Sequence, residues 1–150
     1  MTESERQGSQ VDARRAMLHH FHGYFFADAD VSVVGSGEDR TAYRIGETVY
    51  KVGDRQSANV YDHEALTAAR EAGMPWAPAT TLYRVTGEYG DEITVLAMPY
   101  LADDGSEPDP AALAEMHTQT GGQVDRLGGN YVVISGCPIV VDGCTVEGWA

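Results

Sequence analysis

Lysine is almost missing from this sequence. Ten residues are basic, and every one of them except Lys51 is an arginine. Against 23 acidic residues they leave a formal net charge of −13 and no basic cluster, which argues against a nucleic-acid partner. Long apolar runs are also missing. No stretch approaches the roughly 20 residues that a membrane-spanning helix needs, so no membrane partner is expected. The opening residues, MTESERQGSQ, are polar and lack the apolar centre of a secretory leader, so the expected location is cytoplasmic. Cysteine is scarce as well: Cys137 and Cys144 flank the run PIVVDG. On a strand they would lie about 20 Å or more apart, too far for a disulfide, and two reduced, partly buried thiols are expected.

The rest of the composition is ordinary for a globular protein: 43% hydrophobic and 22% charged residues over a length of 150, enough for one domain with a modest core. Residues 1–10 read as disordered. The spacing of Met17, Leu18, Phe21, Tyr24 and Phe25 predicts a helix over 11–27. His19 and His22 lie one turn apart on it, without a third ligand, and read as a solvated face rather than a metal site. Three strand-like pieces follow, VSVVGSG, TAYRIG and TVYKVG, with turn residues between them; they predict an antiparallel meander. NVYDHEALTAAREAG predicts a helix closed by Gly73 and the following Pro75. Two more strands are predicted around the polar turn GEYGDE. The expected fold class is therefore α+β: a five-stranded antiparallel sheet with one helix inserted after the third strand, spanning 11–102. ADDGSEPDP reads as a linker by composition. Beyond it, 103–150 is expected to hold a short helix starting at Pro110, a loop, and two strands, YVVIS and IVVD, around a turn at GCP.

The position of Lys51 is informative. In TVYKV, Val49 and Lys51 share one face of the strand while Tyr50 and Val52 share the other. Apolar neighbours on both faces predict that the ammonium is enclosed. An unpaired buried ammonium costs on the order of several kcal/mol, so it calls for a carboxylate or an anionic ligand. The next helix offers Glu64, with Ala65 and Leu66 marking its apolar side.

With these residues in view, VVGSGEDRTAYRIGETVYKV followed by HEAL resembles the N-terminal lobe of protein kinases and of the aminoglycoside-phosphotransferase-like kinases. The resemblance implies a glycine-rich hairpin over a nucleotide, carrying Gly35 and Gly37. It implies that Lys51 meets the phosphates of ATP and that Glu64 holds Lys51. VLAMPYL resembles the strand and hinge of that family, with Met98 as gatekeeper and the adenine against Pro99 and Leu101. DRLGGN resembles the catalytic loop: Asp125 would orient the proton of an attacking hydroxyl, and Asn130, five positions on, would bind Mg²⁺. IVVDG resembles the metal-binding motif, with Asp142 as its second Mg²⁺ ligand. The set runs in the family's order over nearly the whole chain, and the expected cofactors are ATP and Mg²⁺.

Several positions depart from the family's pattern. Arg40 stands where a third hairpin glycine is expected, and Val124 where regulated protein kinases carry an arginine before the catalytic aspartate. Leu127 replaces the lysine or histidine that normally neutralises the moving phosphoryl, with Arg126 as the nearest substitute. The chain ends at Ala150, so the expectation is a minimal form without the activation segment and helical lobe that would choose an acceptor. Three readings stay open: a minimal ATP- and Mg²⁺-dependent phosphotransferase acting on itself or on an unknown hydroxyl acceptor; a pseudokinase serving as a nucleotide-binding or protein-interaction module; and an unrelated α+β interaction domain. A second copy of the chain, covering apolar surface left by the missing lobe, is a candidate partner.

Overall fold

A computed structural model describes residues 18, 31–36, 40–54, 57–86, 90, 92–120 and 131–141. The expected disordered start and the expected helix over 11–27 lie outside these residues, except for Leu18, which is helical and fully buried. The chain divides into two compact units, Met1–Val60 with Thr81–Met98, and Tyr61–Thr80 with Pro99–Ala150. This division differs from a boundary drawn at residue 102 by composition, because the segment from Tyr61 to Thr80 belongs with the second unit.

The first unit is built on a five-stranded antiparallel sheet: β1 (Val31–Ser36), β2 (Arg40–Ile45), β3 (Thr48–Asp54), β4 (Thr81–Thr86) and β5 (Glu92–Pro99), in the order β1-β2-β3-β5-β4. The expected meander is β1 to β3, and Ile45 pairs with Thr48 across a two-residue turn. Gly46 opens that turn at φ +60, the positive value that a tight hairpin of this length requires. One face of the sheet is apolar: Tyr43, Ile45, Tyr50, Val52, Val95 and Ala97 form a core with Val31 and Leu18. Burial of side chains such as Val52 contributes about 1.5–3 kcal/mol each, which fixes the register, since a slip of one residue would expose the whole row. β3 lies between β2 and β5, and its residues Val49, Tyr50, Lys51 and Val52 are all buried. β4, at the edge, is largely exposed and carries a cross-strand ion pair, Arg84 Nη1 to Glu92 Oε1 at 2.6 Å, a charge that discourages further strand addition.

The second unit holds most of α1 (Asn59–Glu71), together with α2 (Pro110–Gln119), β6 (Tyr131–Ile134) and β7 (Cys137–Val140). α1 ends as its sequence predicts. Gly73 takes φ +82, its N–H donates to Arg70 O, and the Met74 N–H reaches back to Ala69 O, so the last carbonyls are satisfied. α2 starts at Pro110, with Asp109 as N-cap accepting from the Ala112 N–H. The core collects Ala65, Leu66, Ala69, Trp76, Met116 and Val140. Trp76 is tied at both ends: its Nε1 donates to Gln119 Oε1 at 2.6 Å, and its carbonyl accepts from the Val140 N–H at 2.9 Å.

The β6–β7 hairpin turns at Ser135 and Gly136, with φ of 51 and 79, one step earlier than the GCP turn read from sequence. Pro138 lies within β7, opposite Val133. The stretch read as a linker is a strap across this hairpin. The Val133 N–H donates to Asp103 Oδ1 at 2.7 Å, the Ser135 N–H to Asp104 Oδ2 at 2.7 Å, and the Gly136 N–H to Ser106 Oγ at 3.0 Å. Backbone bonds from Asp104 N to Val133 O and from Asp109 N to Gly136 O complete it. Among the described residues no helix is long and apolar enough to cross a membrane.

Candidate functional site

Lys51 is 6% exposed, as the apolar neighbours on both faces of its strand predict. Its carbonyl accepts from Asn59 Nδ2 at 2.8 Å. The same Nδ2 donates to Thr94 O and Thr94 Oγ1, both at 3.2 Å, so one amide ties the start of α1 to β3 and β5. Asn59 Oδ1 in turn accepts from Arg40 Nη1 at 3.0 Å. Ser57 adds a hydroxyl contact to Thr94 Oγ1 at 3.2 Å. Asn59 and Thr94 are fully buried, and this polar lattice occupies the face of the sheet opposite to the apolar core. Asn59 was not singled out from sequence. Its position at the first turn of a predicted helix, where asparagine favours side-chain-to-backbone bonds, is the signal that could have found it.

The two acids of α1 near the expected position differ in burial. Glu64 is exposed, whereas Asp62 is 3% exposed. At 3.6 residues per turn the two lie about 200° apart around the helix. The buried stripe runs through Asn59, Asp62, Leu66 and Ala69 at spacings of three and four, and Glu64 falls outside it. Leu66 held this information in the sequence: its neighbour one turn earlier is Asp62, not Glu64.

Gly35 lies on β1 opposite Ala42, and a methyl group placed on it would meet nothing within 4 Å. Met98 is buried at the end of β5, Pro99 is exposed and Leu101 is half-buried. The boundary between the two units falls between Met98 and Pro99, at the stretch expected to be a hinge. Gly37, Asp125, Leu127, Asn130, Asp142 and Cys144 lie outside the described residues. Cys137 is a free, half-buried thiol. Among the described residues no group of three or more histidine, cysteine, aspartate or glutamate side chains gathers to hold a metal ion.

One carboxyl of the strap has a clear shift in acidity. Asp104 is held below the usual carboxylate range, first by the Ser106 hydroxyl and then by the N–H groups of Ser135 and Ser106. Both oxygens of Asp103 and both of Asp104 accept hydrogen bonds from protein donors, so the acidic loop is a clasp for backbone amides and not a vacant cation loop.

No protein-family model matches this chain, and no curated protein matches it closely enough to count as a relative.

Proposed function

We propose that the protein is a minimal kinase-like phosphotransferase that binds ATP with Mg²⁺ and passes the γ-phosphoryl group to a hydroxyl acceptor. The observation that carries the reading is the burial of the only lysine at the centre of the sheet, beside a fixed polar lattice on the same face. A buried point cation of this kind suits phosphate oxygens. The reading assigns Gly35 and Gly37 to the phosphate cover, and Met98, Pro99 and Leu101 to the adenine. It passes the role of the helix acid from the exposed Glu64 to the buried Asp62.

Asp125 would accept the acceptor's proton as its oxygen bonds to phosphorus and the bond to the β-phosphate breaks. Asn130 and Asp142 offer the hard oxygens that Mg²⁺ takes, and the ion would supply charge neutralisation across the phosphates. Leu127 supports a second reading, in which the chain binds nucleotide without turning it over, because no cation stands at that position.

A thermal-shift titration with ATP and Mg²⁺, followed by mass spectrometry for added phosphate, tests both. Lys51→Met, Asp62→Asn and Asp142→Asn are expected to lose binding by about tenfold or more, a cost of roughly 1.4 kcal/mol, and Glu64→Gln to keep it. Asp125→Asn is expected to bind as wild type and to add no phosphate. Lys51→Met and Asp142→Asn proteins that bind ATP like wild type would sink the assignment.

A further inference from the structure

We propose that the Thr80 hydroxyl is an acceptor of the phosphoryl group, held for attack by the imidazole of His63. The inference deepens the proposed transfer and rests on that reading for the donor, ATP with Mg²⁺. Its basis is one contact within the second unit. Thr80 Oγ1 and His63 Nδ1 lie 2.7 Å apart, a close hydrogen bond between a hydroxyl and a ring nitrogen. Among the described residues neither side chain bonds to anything else. Both are half-buried, so the pair belongs to no packed core.

Other hydroxyls are committed to their surroundings. Thr118 and Thr120 donate to carbonyls one turn back along α2, Ser106 donates to the Asp104 carboxylate, and Ser57 is buried against Thr94. Of the two imidazoles among the described residues, His117 is buried with both ring nitrogens unbonded, and His63 meets the Thr80 hydroxyl. Thr80 is also accessible. It stands between the exposed Ala79 and Thr81, at the end of a stretch, 77–80, without regular structure. That stretch runs into β4, an edge strand whose side chains are largely exposed. Surface segments of this kind can be presented to another site without unfolding the elements beside them.

A free threonine side chain samples several staggered rotamers, and a bond to the imidazole selects one of them. In the tautomer that carries its proton on Nδ1, His63 donates to Thr80 Oγ1. The hydroxyl then keeps its own proton to lose and a lone pair with which to attack. Transfer forms the bond from Thr80 Oγ1 to the γ-phosphorus and breaks the bond from that phosphorus to the β-phosphate oxygen. ADP leaves, and the hydroxyl proton passes to Asp125, the base of the proposed reaction. His63 is therefore a positioning residue. The product keeps its partner, because a phosphate oxygen accepts from the same N–H.

Incubation of the full chain with ATP and Mg²⁺, followed by residue-by-residue mapping of phosphate by mass spectrometry, tests the proposal. The expected result is phosphate on Thr80 and none on the adjacent Thr81. Thr80→Ser is expected to keep the modification, and Thr80→Val, which matches the shape without the hydroxyl, to lose it. His63→Leu is expected to slow phosphorylation of Thr80 by about tenfold or more. His63→Asn, whose amide nitrogen can stand in for Nδ1, is expected to recover most of that loss, with the ATP-induced thermal shift unchanged throughout. Phosphate on Thr81 or elsewhere with Thr80 bare overturns the proposal and leaves the transfer reading standing. An ATP-induced shift with no phosphate anywhere overturns the proposal and the transfer but spares nucleotide binding. Neither shift nor phosphate overturns the proposal together with the nucleotide reading. Undiminished phosphate on Thr80 in His63→Leu overturns the part given to His63.

Discussion

Beneath β3 the amide of Asn59 donates to backbone carbonyls, while over the β6–β7 hairpin the carboxylates of Asp103 and Asp104 accept from backbone amides. Both arrangements bond side chains to main-chain groups of strands, and they use opposite chemistry because their surroundings differ. The carbonyls of Lys51 and Thr94 accept from Asn59 among buried residues, and a neutral amide can be buried there at modest cost. The N–H groups of the buried Val133 and the exposed Ser135 are met by Asp103 and Asp104, two exposed side chains, where a hydrated carboxylate is affordable and forms the stronger bond. Burial thus decides between a neutral and a charged side chain, and the direction of the missing bond decides between donor and acceptor.

Asn59→Leu is the largest test of this contrast. It removes the three donor contacts of Nδ2 and the acceptor for Arg40, and leaves two buried carbonyls without that partner. A loss of about 3 kcal/mol or more in urea denaturation is expected, since each buried group stripped of its bond costs roughly 1–3 kcal/mol. Asn59→Asp keeps the acceptor for Arg40 but turns a charged oxygen toward Lys51 O and Thr94 O, and should cost a similar amount. A loss below 1 kcal/mol for both would mean that neutrality of the side chain is not what the site requires.

The contrast also explains what was legible beforehand. The sheet could be read because strand-like runs stand on either side of turn residues, and the end of α1 because Gly73 takes the positive φ that closes a helix and Pro75 cannot continue one. The enclosure of Lys51 followed from Tyr50 and Val52 on one side and Val49 on the other. The strap was not legible. Asp103, Asp104 and Ser106 carry no periodicity, and their partners stand about thirty residues away, so composition alone made them a linker. The burial of Asp62 was legible and overlooked: the apolar stripe through Leu66 and Ala69 passes through it.

The strap has a second property that the buried lattice lacks, which is sensitivity to acid. Asp104 is more acidic when folded than its ordinary value of 3.8, chiefly through the Ser106 hydroxyl and the Ser135 N–H. Its contribution is therefore fully present above that ordinary value and is lost as pH falls through the lower, folded one. Denaturation curves from pH 7 down to about pH 2 should show the gap between wild type and Asp104→Asn closing over this window. Asn59→Leu should show no such convergence attributable to its own site, because a neutral amide does not titrate. A gap that stays constant with pH would separate the strap's strength from its charge.

The smallest effect concerns the turn that the strap holds. Ser135 sits at φ 51, a left-handed conformation costly for a residue with a side chain, and Gly136 follows at φ 79, the pair of positive angles that favours Asn-Gly in a two-residue hairpin. Ser135→Asn keeps the N–H that donates to Asp104 Oδ2 and relieves part of that cost. It should raise stability by about 0.5 kcal/mol. The same substitution in an Asp104→Ala background should give a larger gain, because there the turn alone must fix the hairpin. Equal gains in both backgrounds would show that carboxylate and turn act independently, and that the exposed clasp merely decorates a hairpin whose shape is set by its own two central residues.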